Sequence, residues 1–389
     1  MINSTYQLIV LGNTNRFHTL VVKTLYNRIE ELGLDKSVLD IIESSNFNID
    51  YRPNTPVVGL YYGGDEKKDI EILEILKNDA NIILPVFNSK NNFLEEIPEI
   101  LHPINGIKVD SEIDIDALVN NILEGFSLLR LSRRLFISYK RNESRSAAIQ
   151  LFERLELAGF DVFLDTHSIK KGDIFQDELW HRLVDTDVVV LLNTPEFLSS
   201  QWTTEELAKA NSMSIGILQL IWPENSPERT AELSIPLQLK ESDFVNNAFD
   251  KENGRLTDSS LELIVRNVES LRARSLAARQ DNIITEFIKF STMNNRTTNL
   301  QREKFVTIMS KKGKEIVVIP TIGVPHAFSY HQSEDLIKLI RSHGVEKIWL
   351  LYDHINIREK WLKHLAWLDG YLPVNSLKVT EIEEWLKKN

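Results

Sequence analysis

Ten residues, Ser199–Ala208 (SSQWTTEELA), hold the side chains best suited to chemistry: the adjacent carboxylates Glu205 and Glu206, with Trp202 close by. A carboxylate set in a cleft can stabilise positive charge as it develops on a reacting centre, as in glycoside cleavage. Trp202 stands four positions before Glu206, one helical turn away, and shares its face where the helix has already begun. The same letters also read as a helix start. Thr203-Thr204-Glu205-Glu206 fits the capping box T-x-x-E, with Trp202 and Leu207 as the hydrophobic staple. Local sequence leaves both readings open, and Glu205 is the decoy that a substitution has to exclude.

Composition narrows the alternatives. The chain has no cysteine, which removes disulfides, thiolate zinc sites and thiol catalysis and leaves oxygen and nitrogen groups to do any chemistry. No cofactor and no metal are expected, because clustered ligands are missing from the sequence. A formal net charge of -11 argues against non-specific nucleic-acid binding, which needs Lys and Arg gathered on one face. The N-terminus lacks a basic region, and no apolar run is long enough to span a bilayer, so a cytoplasmic protein with no membrane partner is expected. At 389 residues the chain exceeds one hydrophobic core, and two or three domains are expected.

The elements around the ten residues alternate. RRLFISYKR contains a strand, LFISY, flanked by Arg133, Arg134, Lys140 and Arg141, a local positive cluster in an acidic chain. A helix over Ser146–Gly159 puts Ala148, Leu151, Phe152, Leu155 and Ala158 on one stripe and closes at Gly159. The strand FDVFLD, ending at Asp165, leads into the polar loop THSIKKGDIF, which carries Ile169, Lys170, Lys171 and the hinge-like Gly172. The strand DVVVLLN precedes SSQWTTEELA, and ILQLIWP follows it. Ligands of open α/β sheets bind beyond the carboxyl ends of the strands, where Tyr139–Arg141 and the Thr166–Phe175 loop are both expected.

FISYKR, a helix, GFDVFLDTHSIKKGD, DVVVLL and SSQWTTEEL, in this order, resemble the Toll/interleukin-1 receptor (TIR) domain. The resemblance is strong over Arg133–Trp222 and looser to about Arg274, and it implies a flavodoxin-like fold with a parallel sheet. Trp202 and Glu206 look like the motif of TIR domains that hydrolyse NAD. The resemblance therefore implies an NAD+ nucleosidase of a bacterial antiviral defence type, with Glu206 catalytic and NAD+ as substrate. Ser138, Tyr139, Lys140, Arg141, Asp165, Ile169, Lys170, Gly172 and Trp202 are then the substrate-binding set, with Lys140 and Arg141 candidates for the pyrophosphate. It further implies a homo-oligomer through TIR–TIR contacts, switched on by an unidentified trigger ligand or protein. The rival is a non-catalytic TIR scaffold for protein–protein signalling, in which Glu206 caps a helix.

The fold class expected is α/β in three consecutive units: 1–130, 131–275 with the TIR domain, and 276–389 with a helical linker and a possible sensor or assembly domain. In the first, YQLIVLG, PVVGLYYGG, ANIILPVF and GIKV are strands alternating with helices, as in a parallel sheet covered on both faces. Gly63-Gly64 lacks the spacing of a dinucleotide loop or a P-loop and reads as a turn. This segment is either a degenerate TIR-like copy or an α/β tail that is alike by chance. Asp258–Phe290 reads as one long or broken helix capped by Asp258 or Ser259. In the last segment Asp353, His354 and Thr321–His326 sit just beyond strands and could line a cleft, and Trp361, Leu362, Leu365 and Trp367 read as core. A third function, in which the outer segments receive a nucleotide signal and the TIR domain is the output, follows from the same division.

Overall fold

The computed structural model describes residues 6–53, 55–88, 92–164, 175–197, 210, 213–227, 234–249, 253–301, 303–340 and 344–389, with the backbone alone at 175–179, 336, 339 and 340. The chain divides into two compact units: Met1–Leu131 with Thr298–Ile319 and Phe328–Ile348, and Ser132–Thr297 with Pro320–Ala327 and Trp349–Asn389. The fold is mixed α/β, with three five-stranded sheets among the described residues.

The first sheet is built from β1 (Tyr6–Gly12), β2 (Leu39–Glu43), β3 (Val57–Tyr62), β4 (Ile82–Phe87) and β5 (Ile107–Lys108), in the order β2-β1-β3-β4-β5. Every neighbouring pair is parallel. Its helices are α1 (His18–Glu31), the single turn α2 (Phe47–Asp50), α3 (Ile70–Asn78), the single turn α4 (Phe93–Glu96) and α5 (Ile115–Gly125). Central strands β1 and β3 are almost wholly buried apolar runs, as a sheet covered on both faces requires. The edge strand β2, LDIIE, is too polar and too short to read as a strand from sequence, and it forms because Leu39 and Ile42 complete the core beside β1.

The second sheet repeats that order. It consists of β6 (Arg134–Ser138), β7 (Asp161–Leu164), β8 (Val188–Asn193), β9 (Gly216–Ile221) and β10 (Ile235–Gln238), arranged β10-β9-β8-β6-β7 and parallel throughout. Helices α6 (Arg141–Leu157), α7 (Phe175–Val184) and α8 (Asp258–Met293) accompany it. Alternation along β6 sends Leu135, Ile137 and Tyr139 into a core shared with Ala147, Leu151 and Leu155 of α6 and Ile264 and Val268 of α8. Phe136 faces the other way, onto Phe163, Leu183 and Val189. Each of the buried Leu, Ile, Val and Phe side chains among these contributes about 1.5–3 kcal/mol of transfer free energy. α6 ends where Gly159 takes φ +84°: its N–H donates to Glu156 O, and Phe160 N donates to Leu155 O, a Schellman cap that turns the chain straight into β7.

α8 is one unbroken helix of 36 residues, about 54 Å long at 1.5 Å per residue. Its cap is Thr257, one residue before the positions expected, whose Oγ1 accepts from Ser260 N. Gly216 lets it approach β9: a Cβ there would lie 2.8 Å from Leu271 Cγ.

The third sheet has the order β11-β12-β13-β14-β15, from Thr298–Leu300, Val306–Met309, Glu315–Thr321, Val345–Tyr352 and Val374–Lys378. The first three strands are an antiparallel meander that sequence periodicity did not reveal. Helices α9 (Ala327–Ile340), α10 (Glu359–Asp369) and α11 (Ile382–Lys388) alternate with the later strands as expected. The C-terminal part of α8 packs on α11, where the Phe287 and Trp385 rings lie 5.8 Å apart. No helix among the described residues is long and apolar enough to cross a membrane.

Candidate functional site

In a parallel sheet of order 2-1-3-4-5, the chain leaves its first and third strands in opposite directions, which opens a crevice beyond their carboxyl ends. Here those strands are β6 and β8. Past β6 come Ser138, buried at the strand end, Tyr139, Lys140 and Arg141; past β8 come Asn193, Thr194 and Glu196. The two loops are joined across the crevice. Lys140 Nζ lies 2.7 Å from Glu196 Oε2 and also donates to Glu196 O at 3.1 Å. Glu196 N in turn donates to Glu143 Oε2 at 3.2 Å.

The ion pair is a surface one, with the Glu196 side chain 71% exposed. The Lys140 hydrogen bond, and after it the Lys140 charge, hold the Glu196 carboxyl below the usual carboxylate range. Beneath it the crevice floor is fixed. Asn193 is buried, donates to Ser226 O at 2.9 Å, and accepts from Asn225 Nδ2 at 3.0 Å on its side-chain oxygen and at 3.1 Å on its carbonyl. Ser144 leaves helical geometry at φ -147°, ψ 23° and its hydroxyl donates to Lys140 O, so the start of α6 bends around the Lys140 backbone.

Of the ten site residues expected from sequence, four are described and share this one end of β6: Ser138, Tyr139, Lys140 and Arg141. The Tyr139 ring belongs to the apolar core, whereas Arg141 is exposed. Asp165, Ile169, Lys170, Gly172, Trp202 and Glu206 lie outside the described residues. Glu143, Asn193 and Glu196 were missed. Their only signal in sequence is position just beyond an apolar strand, which many inert residues share.

The positive cluster around β6 is divided by the strand itself. Arg133 and Arg134 stand at its amino end, and both are held structurally. Arg133 pairs with buried Glu269 of α8 and stacks over the Phe160 ring, 4.6 Å from its centroid. Arg134 pairs with Asp185 and, at 3.7 Å, with Asp161. Behind them Arg272 Nε meets Asp187 Oδ2 at 2.8 Å, with both side chains fully buried. Arg279 donates to Thr186 O at 2.7 Å and Val184 O at 2.8 Å, covering carbonyls at the end of α7. Contiguous letters thus serve opposite ends of the sheet, and only Lys140 and Arg141 belong to the crevice.

Two further cavities lie in the same unit. Thr321–Gly323 and Asp353 do meet, with Ser214, Arg279 and Asn282, around a cavity of about 140 Å³. A larger one, about 420 Å³, is lined by Trp180 of α7 and Asn356–Lys360. Trp361 and Trp367 are not core: they are 37% and 58% exposed, while Leu365 and Leu368 take the buried face of α10. Each ring stacks on a histidine instead: Trp361 on buried His181 with centroids 5.6 Å apart, and Trp367 on His364 at 6.0 Å.

The second sheet and its crevice define an open, flavodoxin-like α/β unit with its ligand mouth between β6 and β8. Residues 135–255 match the TIR domain family, so the chain carries a TIR domain there. Among solved structures the chain is similar to tagatose-6-phosphate ketose/aldose isomerase from Escherichia coli, at 12% identity over 71% of this chain and 83% of that one, with a TM-score of 0.20. A likeness at that score carries no weight for fold or function.

Proposed function

We propose that the chain is an NAD+ hydrolase that cleaves the nicotinamide–ribose bond, giving nicotinamide and ADP-ribose or its cyclic form. The observation that carries this reading is the TIR match over 135–255, a stretch of sequence that includes Trp202 and Glu206, beside the flavodoxin-like order of the second sheet. As the C1′–N bond breaks, its electron pair leaves with nicotinamide and neutralises the pyridinium, and C1′ gains cationic character. Glu206 stabilises that charge, and water then bonds to C1′ and loses a proton to the carboxylate or solvent; in the cyclising case a ring nitrogen of adenine bonds to C1′ instead, and the positive charge it takes up is relieved by loss of a proton from the exocyclic amine. Among the described residues, Lys140 and Arg141 are the cations at the crevice for the pyrophosphate, and Lys140 must exchange Glu196 for substrate to serve so. The enzyme acts as a homo-oligomer in antiviral defence, silent until a trigger promotes self-association.

The test is nicotinamide release from NAD+ at high protein concentration with a crowding agent, for the wild type, Glu206→Ala and Glu205→Ala. Wild-type and Glu205→Ala activity with a loss of about 10²-fold or more in Glu206→Ala is expected. Full activity in Glu206→Ala would remove the catalytic assignment.

A further inference from the structure

The 420 Å³ cavity beside α7 is assigned to neither the TIR crevice nor any structural need, and its lining is chemically selective. We infer that it binds an adenine nucleotide, a ligand distinct from the substrate. Its volume falls within the range of about 300–1,000 Å³ typical of small-molecule sites. Trp180 supplies an aromatic wall, the surface on which a base stacks. Arg358 and Lys360 supply cations; the intervening Glu359 is turned to Lys363, 3.0 Å away at i+4, which leaves the lining positive and suited to phosphate.

Asn356 supplies the specificity. Its Nδ2 is buried and has no hydrogen-bond partner, a state that costs free energy and is rare in folded proteins. An amide matches the adenine edge, donating to N7 and accepting from N6, and Asn356 is one of the residues that line the cavity. The residue holds the left-handed conformation, φ +66°, which asparagine tolerates, so its backbone is set independently of any ligand. The wall is also braced: Arg358 N donates to His181 Nδ1 at 3.5 Å, and the His181 ring stacks on Trp361 with 17° between planes.

Isothermal titration of AMP into the full chain tests this without reference to NAD cleavage, so it stands or falls apart from the proposed activity. One saturable site per chain is expected, weakened tenfold or more in Asn356→Gly, which keeps the left-handed backbone, and in Lys360→Ala, and unchanged in Glu206→Ala. Inosine monophosphate, with its carbonyl where adenine has an amine, is expected to bind at least tenfold more weakly. Trp180→Phe, which keeps a stacking ring, is expected to bind within a few fold of wild type, and melting curves establish that each variant is folded. Absence of AMP binding, equal binding of ribose 5-phosphate, or loss in Glu206→Ala but not in Asn356→Gly would each overturn the inference.

Discussion

The first and second sheets have the same strand order and the same parallel pairing, yet their carboxyl ends are finished differently. At the first, the loops close on themselves. Gly12 at φ +78° donates to Asp69 Oδ2 at 2.8 Å, Asn13 N donates to Tyr62 O at 2.8 Å, and Asn13 Nδ2 donates to Glu66 O at 2.7 Å. Gly64 N donates to Glu96 O, and a Cβ on Gly64 would lie 2.7 Å from Asn13 Nδ2. The backbone donors that a switch-point crevice offers to a ligand are spent on the protein itself. At the second, the corresponding loops are linked by an exposed ion pair that a charged ligand can displace. Topology makes a crevice in both; side chains decide which one is left for a ligand.

The largest effect that sharpens this contrast comes from the end of the second sheet opposite the crevice. Asp187→Ala strands buried Arg272 and is expected to cost about 3–5 kcal/mol, read as a lower urea midpoint, because one partner of a fully buried pair is lost. Next comes Gly216→Ala, which drives a methyl into Leu271 and is expected to destabilise by about 1–3 kcal/mol in the same assay. In the first sheet, Asp69→Ala removes the acceptor for Gly12 N. Urea unfolding should report a loss of about 1–2 kcal/mol there if the plug is structural, and no change if water replaces it freely.

The smallest effect is a titration. Because Lys140 lowers the Glu196 pKa, the pair stabilises the folded state above the unfolded carboxyl pKa, and that contribution fades as pH falls through the folded one. In Lys140→Ala the Glu196 carboxyl carbon, followed by NMR, is expected to titrate at higher pH than in the wild type. An unmoved titration would show that the ion pair does not persist in solution.

Much of this was legible in the letters. Apolar runs such as LIVLG and DVVVLLN read as buried strands, and Asp258–Phe290 as one long or broken helix, which the structure shows to run unbroken to Met293. What was not legible has a common cause: the decisive partner is distant in sequence. Arg133 and Lys140 are seven positions apart and look alike, but one faces Glu269 and the other Glu196. β2 depends on β1 for its burial, and the β11–β12 hairpin on β13. The tryptophans of α10 look like core letters, but Leu365 and Leu368 occupy the buried face, and the rings are left to stack outside. Ser138–Arg141 share one end of β6 because they are consecutive, and for Glu206 capping and catalysis remain separable by substitution.

The contrast between the two crevices is tested most directly by amide hydrogen exchange on Glu206→Ala, which under the proposed function holds NAD+ without consuming it. The account predicts slowed exchange at 138–144 and 193–197 on addition of NAD+, with Gly12–Asn13 and Gly63–Gly64 unchanged. Slowed exchange at the first sheet, with none at the second, would contradict it.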